Sequence, residues 1–236
     1  MRHIALIAIN FFREQRWPIL VLMSWVFLLS VLGLVVDLRK ASDDVLFIFK
    51  QGVGYGILFT IFFGASAIHN ERKTRRILAV LSKSVGRGQY ISGLITGIMF
   101  AAAIYSFAMG VTGTWVLGAS GFPAEHLWLL MLCVMLVCLL CASLSVLFST
   151  FLNPLFATMA TGIVLGLPAV AALQFRSRWA EVVPAYSLIE PLMKASSGSN
   201  EPVRGPLLML ALGEAVFFWV CAFWIFERRD IAVAVD

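Results

Sequence analysis

Charge is scarce in this chain. Only 13% of its 236 residues are Asp, Glu, Lys or Arg, against about 25% in an ordinary soluble domain. Too few charges exist to solvate a globular surface. Histidine is rarer still: His3, His69 and His126 stand alone, each beside an apolar block, and no H-E-x-x-H spacing offers a zinc site. The pattern G-x-x-x-x-G-K-[ST] is missing, so the chain has no P-loop to cradle a nucleotide. The apolar blocks hold no Ser–His, Ser–Lys or paired-Asp arrangement of the kind that intramembrane proteolysis would need. Cysteine is limited to Cys133, Cys138, Cys141 and Cys221, all within apolar blocks. Cys138 and Cys141 form a C-x-x-C, but no histidine or second pair accompanies them, and they read as small packing residues. No catalytic, metal-binding or cofactor-binding residue is therefore expected in this chain.

What is present is apolar, at 61% of residues. The excess falls into blocks of spanning length, about 20 residues being needed to cross a bilayer. Six such blocks are expected: 18–36, 52–68, 91–117, 127–148, 155–173 and 207–226. A transmembrane β-barrel would show shorter, alternating segments. The expected fold is all-α: a polytopic integral membrane protein with six transmembrane helices in a single membrane domain over 1–236.

Lys and Arg are unevenly distributed among the connections. With the N-terminus inside, the inner segments hold eleven of them and the outer segments seven, the outer set offset by seven acids. Positive charge marks the cytoplasmic side, so both termini are expected there. A nucleic-acid role is disfavoured, because no soluble domain could host the basic surface. At the N-terminus, RHIALIAINFFREQR places Ile4, Ile7, Ala8, Phe11 and Phe12 at helical spacing. Arg2, His3, Asn10, Arg13 and Glu14 lie largely opposite. That pattern predicts an amphipathic helix in the inner interface, its apolar side in lipid. Trp17, Tyr90, Trp115, Trp128, Trp179, Tyr186 and Trp224 fall near expected boundaries, where amphipathic rings prefer the headgroups. Trp25 falls mid-span and reads as packing. Gly52/Gly56, Gly93/Gly97 and Gly162/Gly166 are each four apart, a spacing that lets helix backbones approach closely in lipid, within one chain or across a dimer.

Three features stand out against this background. ERKTRRILAVLSKSVGRGQY, Glu71 to Tyr90, carries six Lys or Arg and one acid. It has no Gly or Pro before Gly86, which predicts a short cytoplasmic helix over Glu71–Ser82 with Thr74, Ile77, Leu78 and Leu81 along one face. Membrane lipid would attract the charge anywhere, yet the other inner turn, STFLNP, has none. A docking partner accounts for the concentration better. Glu214 is the one acid well inside an expected span, and an ionisable group there is costly enough to raise a functional hypothesis: lining a polar path, or a structural hydrogen bond. Finally, the long outer connection 174–206 contains VVPAYSLIEPLMK, consistent with either a short helix dipping into the outer leaflet or an irregular connection.

The run ILAVLSKSVGRGQYISG resembles the cytoplasmic segment of ABC-2 type transporter permeases, of the type V exporter-like class. The matching positions are Glu71, Leu78, Leu81, Ser82, Lys83, Val85, Arg87 and Tyr90, and the ending FERRDI, Phe226 to Ile231, resembles that family's as well. The usual G-[ST]-[LI]-E before this segment is replaced by ERKTRRIL. The resemblance implies a permease that forms a substrate pathway with a second permease chain, identical or related, in a bacterial inner membrane. It implies a separate ABC ATP-binding subunit that holds ATP and Mg and performs the hydrolysis, and transport in the export direction. It also implies a coupling helix carrying Glu71, Arg72, Arg75, Ile77, Leu78, Leu81, Ser82, Lys83 and Arg87. The rival expectations are a non-transporting membrane scaffold and an ATP-independent channel or carrier.

Overall fold

A computed structural model describes residues 2–35, 42–73, 86–118, 122–175, 184–194 and 204–228. All regular structure among them is helical: α1 Arg2–Glu14, α2 Arg16–Val35, α3 Ser42–Lys73, α4 Arg87–Gly118, α5 Ala124–Ser149, α6 Pro154–Phe175, α7 Ala185–Lys194 and α8 Gly205–Arg228. Five of these, α2, α3, α4, α5 and α8, contain stretches long and apolar enough to cross a membrane. Helix α6 is 22 residues long and uncharged throughout; its stretch with every side chain described, Pro154–Pro168, is apolar but too short to qualify. The described structure thus gives five qualifying helices where six were expected.

The largest departure from expectation is α3, which begins ten residues before the expected span and ends five after it. Its 32 residues make it about 48 Å long at 1.5 Å per residue, well beyond the roughly 30 Å of a bilayer's apolar core. Ser42, Asp43 and Asp44 at its start are residue types that favour helix N-termini. The interruption at Lys50 and Gln51 misleads a hydropathy reading, because Lys50 is tolerated inside the helix: its ammonium donates to the Met193 carbonyl at the C-terminus of α7 (2.8 Å). The α5–α6 turn is built from the sequence itself. Asn153 Oδ1 accepts the Phe156 N–H at 3.1 Å, capping α6, and Pro154 takes the first helical position, where its missing N–H costs nothing.

The core divides into three clusters. At the end of the bundle where α3 finishes and α4 begins, Phe63, Ala67 and Ile68 meet Tyr90, Ile91, Leu94 and Ile98, with Ala142 and Val146 from α5 and Ala222 and Phe226 from α8. At the opposite end, Leu22, Leu46, Phe49, Tyr105, Met109, Leu127, Leu130 and Val134 pack together, closed over by Leu192 of α7. A third, lateral cluster joins Cys133, Val137, Leu140, Cys141 and Leu144 of α5 to Leu165, Leu188 and Ala211. Helix α5 takes part in all three and buries fifteen residues, against four in α8. Cys133, Cys138 and Cys141 are buried in this packing as free thiols.

Helix α1 forms over the expected residues but rests on protein. Its contacts advance in step along α4. A Cβ at Gly93 would lie 2.8 Å from Ile7 Cβ, and one at Gly97 would lie 3.2 Å from Ala8 Cα, while Phe12 meets Phe100 edge to face at 5.4 Å. So α1 runs alongside α4 in the same direction, and the apolar side assigned to lipid is covered by Gly93 and Gly97. Leu6 and Ile9 remain on its outer side. The connection 174–206 does contain a helix, α7, whose Ala185, Leu188, Pro191 and Leu192 are buried.

Candidate functional site

The basic segment emerges from α3 and returns through α4. Glu71 and Arg72 lie on the last turn of α3, which is continuous through Lys73, so they extend the second expected span instead of starting a separate helix. Arg75, Ile77, Leu78, Leu81, Ser82 and Lys83 lie outside the described residues. Arg87 opens α4, and its guanidinium reaches the end of α8. Nη1 donates to the Glu227 carbonyl at 2.7 Å and approaches the Phe226 carbonyl at 3.4 Å. Those carbonyls belong to the last turn of α8, where helical C=O groups lack intrahelical donors and carry the negative end of the helix dipole. A cation is the fitting partner. The sequence reading assigned Arg87 to a docking partner; here it is hydrogen-bonded within the chain.

The same seam continues up the two helices. Tyr90 stacks on Phe226 with centroids 5.7 Å apart, and both side chains are fully buried. The Phe223 ring lies where a Gly88 side chain would be, so only glycine permits this approach. Trp219 Nε1 donates to Ser92 Oγ at 3.1 Å. Beyond that bond the seam opens into a lateral cleft of about 240 Å³ between α4, α5 and α8, lined by Ser92, Thr96, Leu139, Ser143, Val216 and Trp219, among others. The hydroxyls of Thr96 and Ser143 donate to their own helix backbones, at 2.7 and 2.8 Å, and keep only acceptor capacity toward the cleft. At the end of α8, the Arg228 guanidinium sits 3.8 Å from the Trp224 ring centroid.

Glu214 lies apart from this cleft. With 100° per residue, it projects roughly 150° away from the direction shared by Ala215, Val216 and Trp219. It is half-buried, and its Oε2 is enclosed with no hydrogen-bond partner. Neither the cleft nor Arg87 is therefore connected to it. Sequence reading missed three polar joints: Tyr105 Oη donating to the Gly52 carbonyl at 2.8 Å, Ser30 Oγ and Thr112 Oγ1 sharing a hydrogen bond at 3.3 Å, and the Ser92–Trp219 pair. Each joins two helices. None has a sequence signal beyond a single hydroxyl in an apolar run.

The glycine pairs sort themselves by what faces them. Gly93 and Gly97 receive α1, and Gly52 and Gly56 receive Trp25, Met109 and Tyr105. Among the described residues, no atom lies within 4 Å of a Cβ added at Gly162 or Gly166.

The profile of the family described as ABC-2 family transporter protein matches residues 37–223. No curated protein matches the chain.

Proposed function

Since this chain belongs to the ABC-2 family of transporter proteins, a multi-pass membrane family, we propose that it is the membrane-spanning permease subunit of an ATP-driven exporter. The family match carries the proposal, because it extends over most of the bundle. In this reading α6 crosses the membrane as the sixth span, with Pro168 inside it, a residue that membrane helices tolerate. Both termini lie in the cytoplasm of a bacterial inner membrane, as the excess of Lys and Arg favours. A second permease chain completes the substrate pathway.

The absence of a P-loop from the sequence means that energy arrives through a contact. A separate ABC ATP-binding subunit, holding ATP and Mg, supplies it. Its groove receives the segment that begins at Glu71 and Arg72 and continues through Arg75, Ile77, Leu78, Leu81, Ser82 and Lys83. The cations suit an acidic rim on that subunit, and Leu78 and Leu81 its apolar floor. Closure of the ATPase pair biases the bundle between two arrangements, acting on α3 and α4, the helices that flank the segment. Glu214 is assigned a polar role in the bundle, on the strength of its enclosed, unpartnered oxygen.

The test is a pull-down of the tagged chain from native membranes in mild detergent. A stoichiometric P-loop ATPase is expected, and it is lost when Leu78 and Leu81 are both changed to Asp. Normal ATPase binding by that double variant would remove the docking assignment. Absence of any ATPase across several mild detergents would favour a membrane scaffold.

A further inference from the structure

The start of α4 is held on two sides. Helix α1 covers Gly93 and Gly97. On a different face, α8 is joined to it by Arg87 to the Glu227 and Phe226 carbonyls, by the Tyr90–Phe226 stack, by Phe223 over Gly88, and by Trp219 to Ser92. All four joints to α8 fall within six residues of α4, 87 to 92, immediately after the basic segment. Toward the other end of the bundle the two helices part around the lateral cleft. The joint is therefore local, rigid and placed at the exit of the segment.

We propose that Arg87 is a latch: it fastens the exit of the basic segment to the C-terminal turn of the last helix, so that the start of α4 and the end of α8 move as one body when the segment is displaced. Arg87 is thus a positioning residue and not a docking contact. The inference rests on the coupling role given to the segment above. The physical basis is that a guanidinium presents several donors in a fixed plane to carbonyls that have no other donors in their own helix. A charge-assisted bond of this kind is short and directional. Beyond the seam the cleft separates α8 from α4, whereas at the seam the two are in direct contact.

Spin labels on the complete transporter with its ATPase test this. One pair is Gln89→Cys with Glu227→Cys, both exposed, which leaves the Glu227 backbone carbonyl in place. A second pair, Gln89→Cys with Leu155→Cys, reports movement of α4 against α6. Distances are read nucleotide-free and after trapping with ADP and vanadate, with Cys221 replaced by Ala. In the otherwise native chain the 89–227 distance is expected to hold within about 2 Å, the scale of ordinary helix shifts, while the 89–155 distance changes by more. In Arg87→Ala the 89–227 distribution broadens, and the distance lengthens on trapping. Arg87→Gln, which keeps a side-chain donor without the charge, serves if the Ala variant does not assemble, with the same change in smaller degree.

The latch is overturned if the native 89–227 distance shifts as much as 89–155, if 89–155 does not respond to trapping, or if the variants match the native chain in both states. Failure of the coupling reading looks different: no ATPase is recovered with the chain. In that case the 89–227 distribution of Arg87→Ala against the native permease alone still decides whether Arg87 fastens the two helices.

Discussion

An alanine at Gly97 would bring its Cβ within 3.1 Å of Phe11 Cβ and 3.2 Å of Ala8 Cα. The second of these is backbone, so rotating a side chain does not relieve it and α1 must shift. Gly97→Ala is expected to destabilise the detergent-solubilised protein by about 1–3 kcal/mol, the usual cost of overpacking, read as a lower midpoint in thermal unfolding. Gly166→Ala should behave in the opposite way. Among the described residues, nothing lies within 4 Å of its added Cβ, and exchanging Gly for Ala inside a helix gains up to about 1 kcal/mol. A drop in stability at Gly166 would show that something beyond the described residues occupies the site. Glu214 carries a different kind of cost, an enclosed carboxylate oxygen with no partner. Glu214→Met removes it and is expected to raise stability by about 1–3 kcal/mol, while lowering ATP turnover of the reconstituted transporter if the carboxylate serves the cycle. Unchanged turnover would leave Glu214 without a role in the cycle.

At the scale of elements, two cations secure helix C-termini at opposite ends of the bundle. Arg87 does so for α8, and Lys50 does so for α7 through the Met193 carbonyl at 2.8 Å. Each sits in a helix that a hydropathy plot trims at the charge, and each charge is accommodated by the dipole of a neighbouring helix end. Helix α7 is also supported by burial of Ala185, Leu188, Pro191 and Leu192, and by a Glu190–Lys194 pair at 2.7 Å that is half-exposed and worth little. Lys50→Met should therefore loosen α7 selectively. Amide exchange in 185–194 is expected to rise about fivefold to tenfold, the equivalent of roughly 1 kcal/mol of local opening, with exchange in α5 unchanged. Equal exchange in the variant and the native chain would mean that α7 is held without the Lys50 bond.

Across the whole molecule, α5 is the axis on which three apolar clusters meet. The helices around it differ in how much of their surface they leave outward. Exposed Met209, Phe217 and Trp224 of α8 and Leu155, Met159 and Leu167 of α6 form faces suited to lipid or to another chain. The two ends of the bundle should lie on opposite sides of the membrane. Thiol labelling of right-side-out vesicles is expected to modify Glu190→Cys with a membrane-impermeant reagent and to spare Gln89→Cys; the reverse pattern would invert the topology.

By itself the sequence determined the class: scarce charge and long apolar runs leave few alternatives to a helical membrane protein, and the asymmetry of Lys and Arg singles out one connection. The positions of α2, α4, α5 and α8 were legible within a few residues, because each is a run of apolar side chains with Gly, Pro or charge at its ends. The extent of α3 was not, since the end of α7, some 140 residues later, supplies a carbonyl to Lys50. Nor was the contact of Arg87 with the end of α8 legible. In the sequence it is the last of six cations in one segment, and only the approach of α8 selects which acceptor it takes. The glycine pairs show the same division. Spacing alone marks all three as sites of close approach, yet α1 covers one, a tyrosine and a tryptophan help fill another, and among the described residues the third stands open. Local pattern specifies helices, because the backbone hydrogen bonds that make them are local. Which helix end meets which charge depends on contacts between residues far apart in the chain, and these exist only once the bundle has formed.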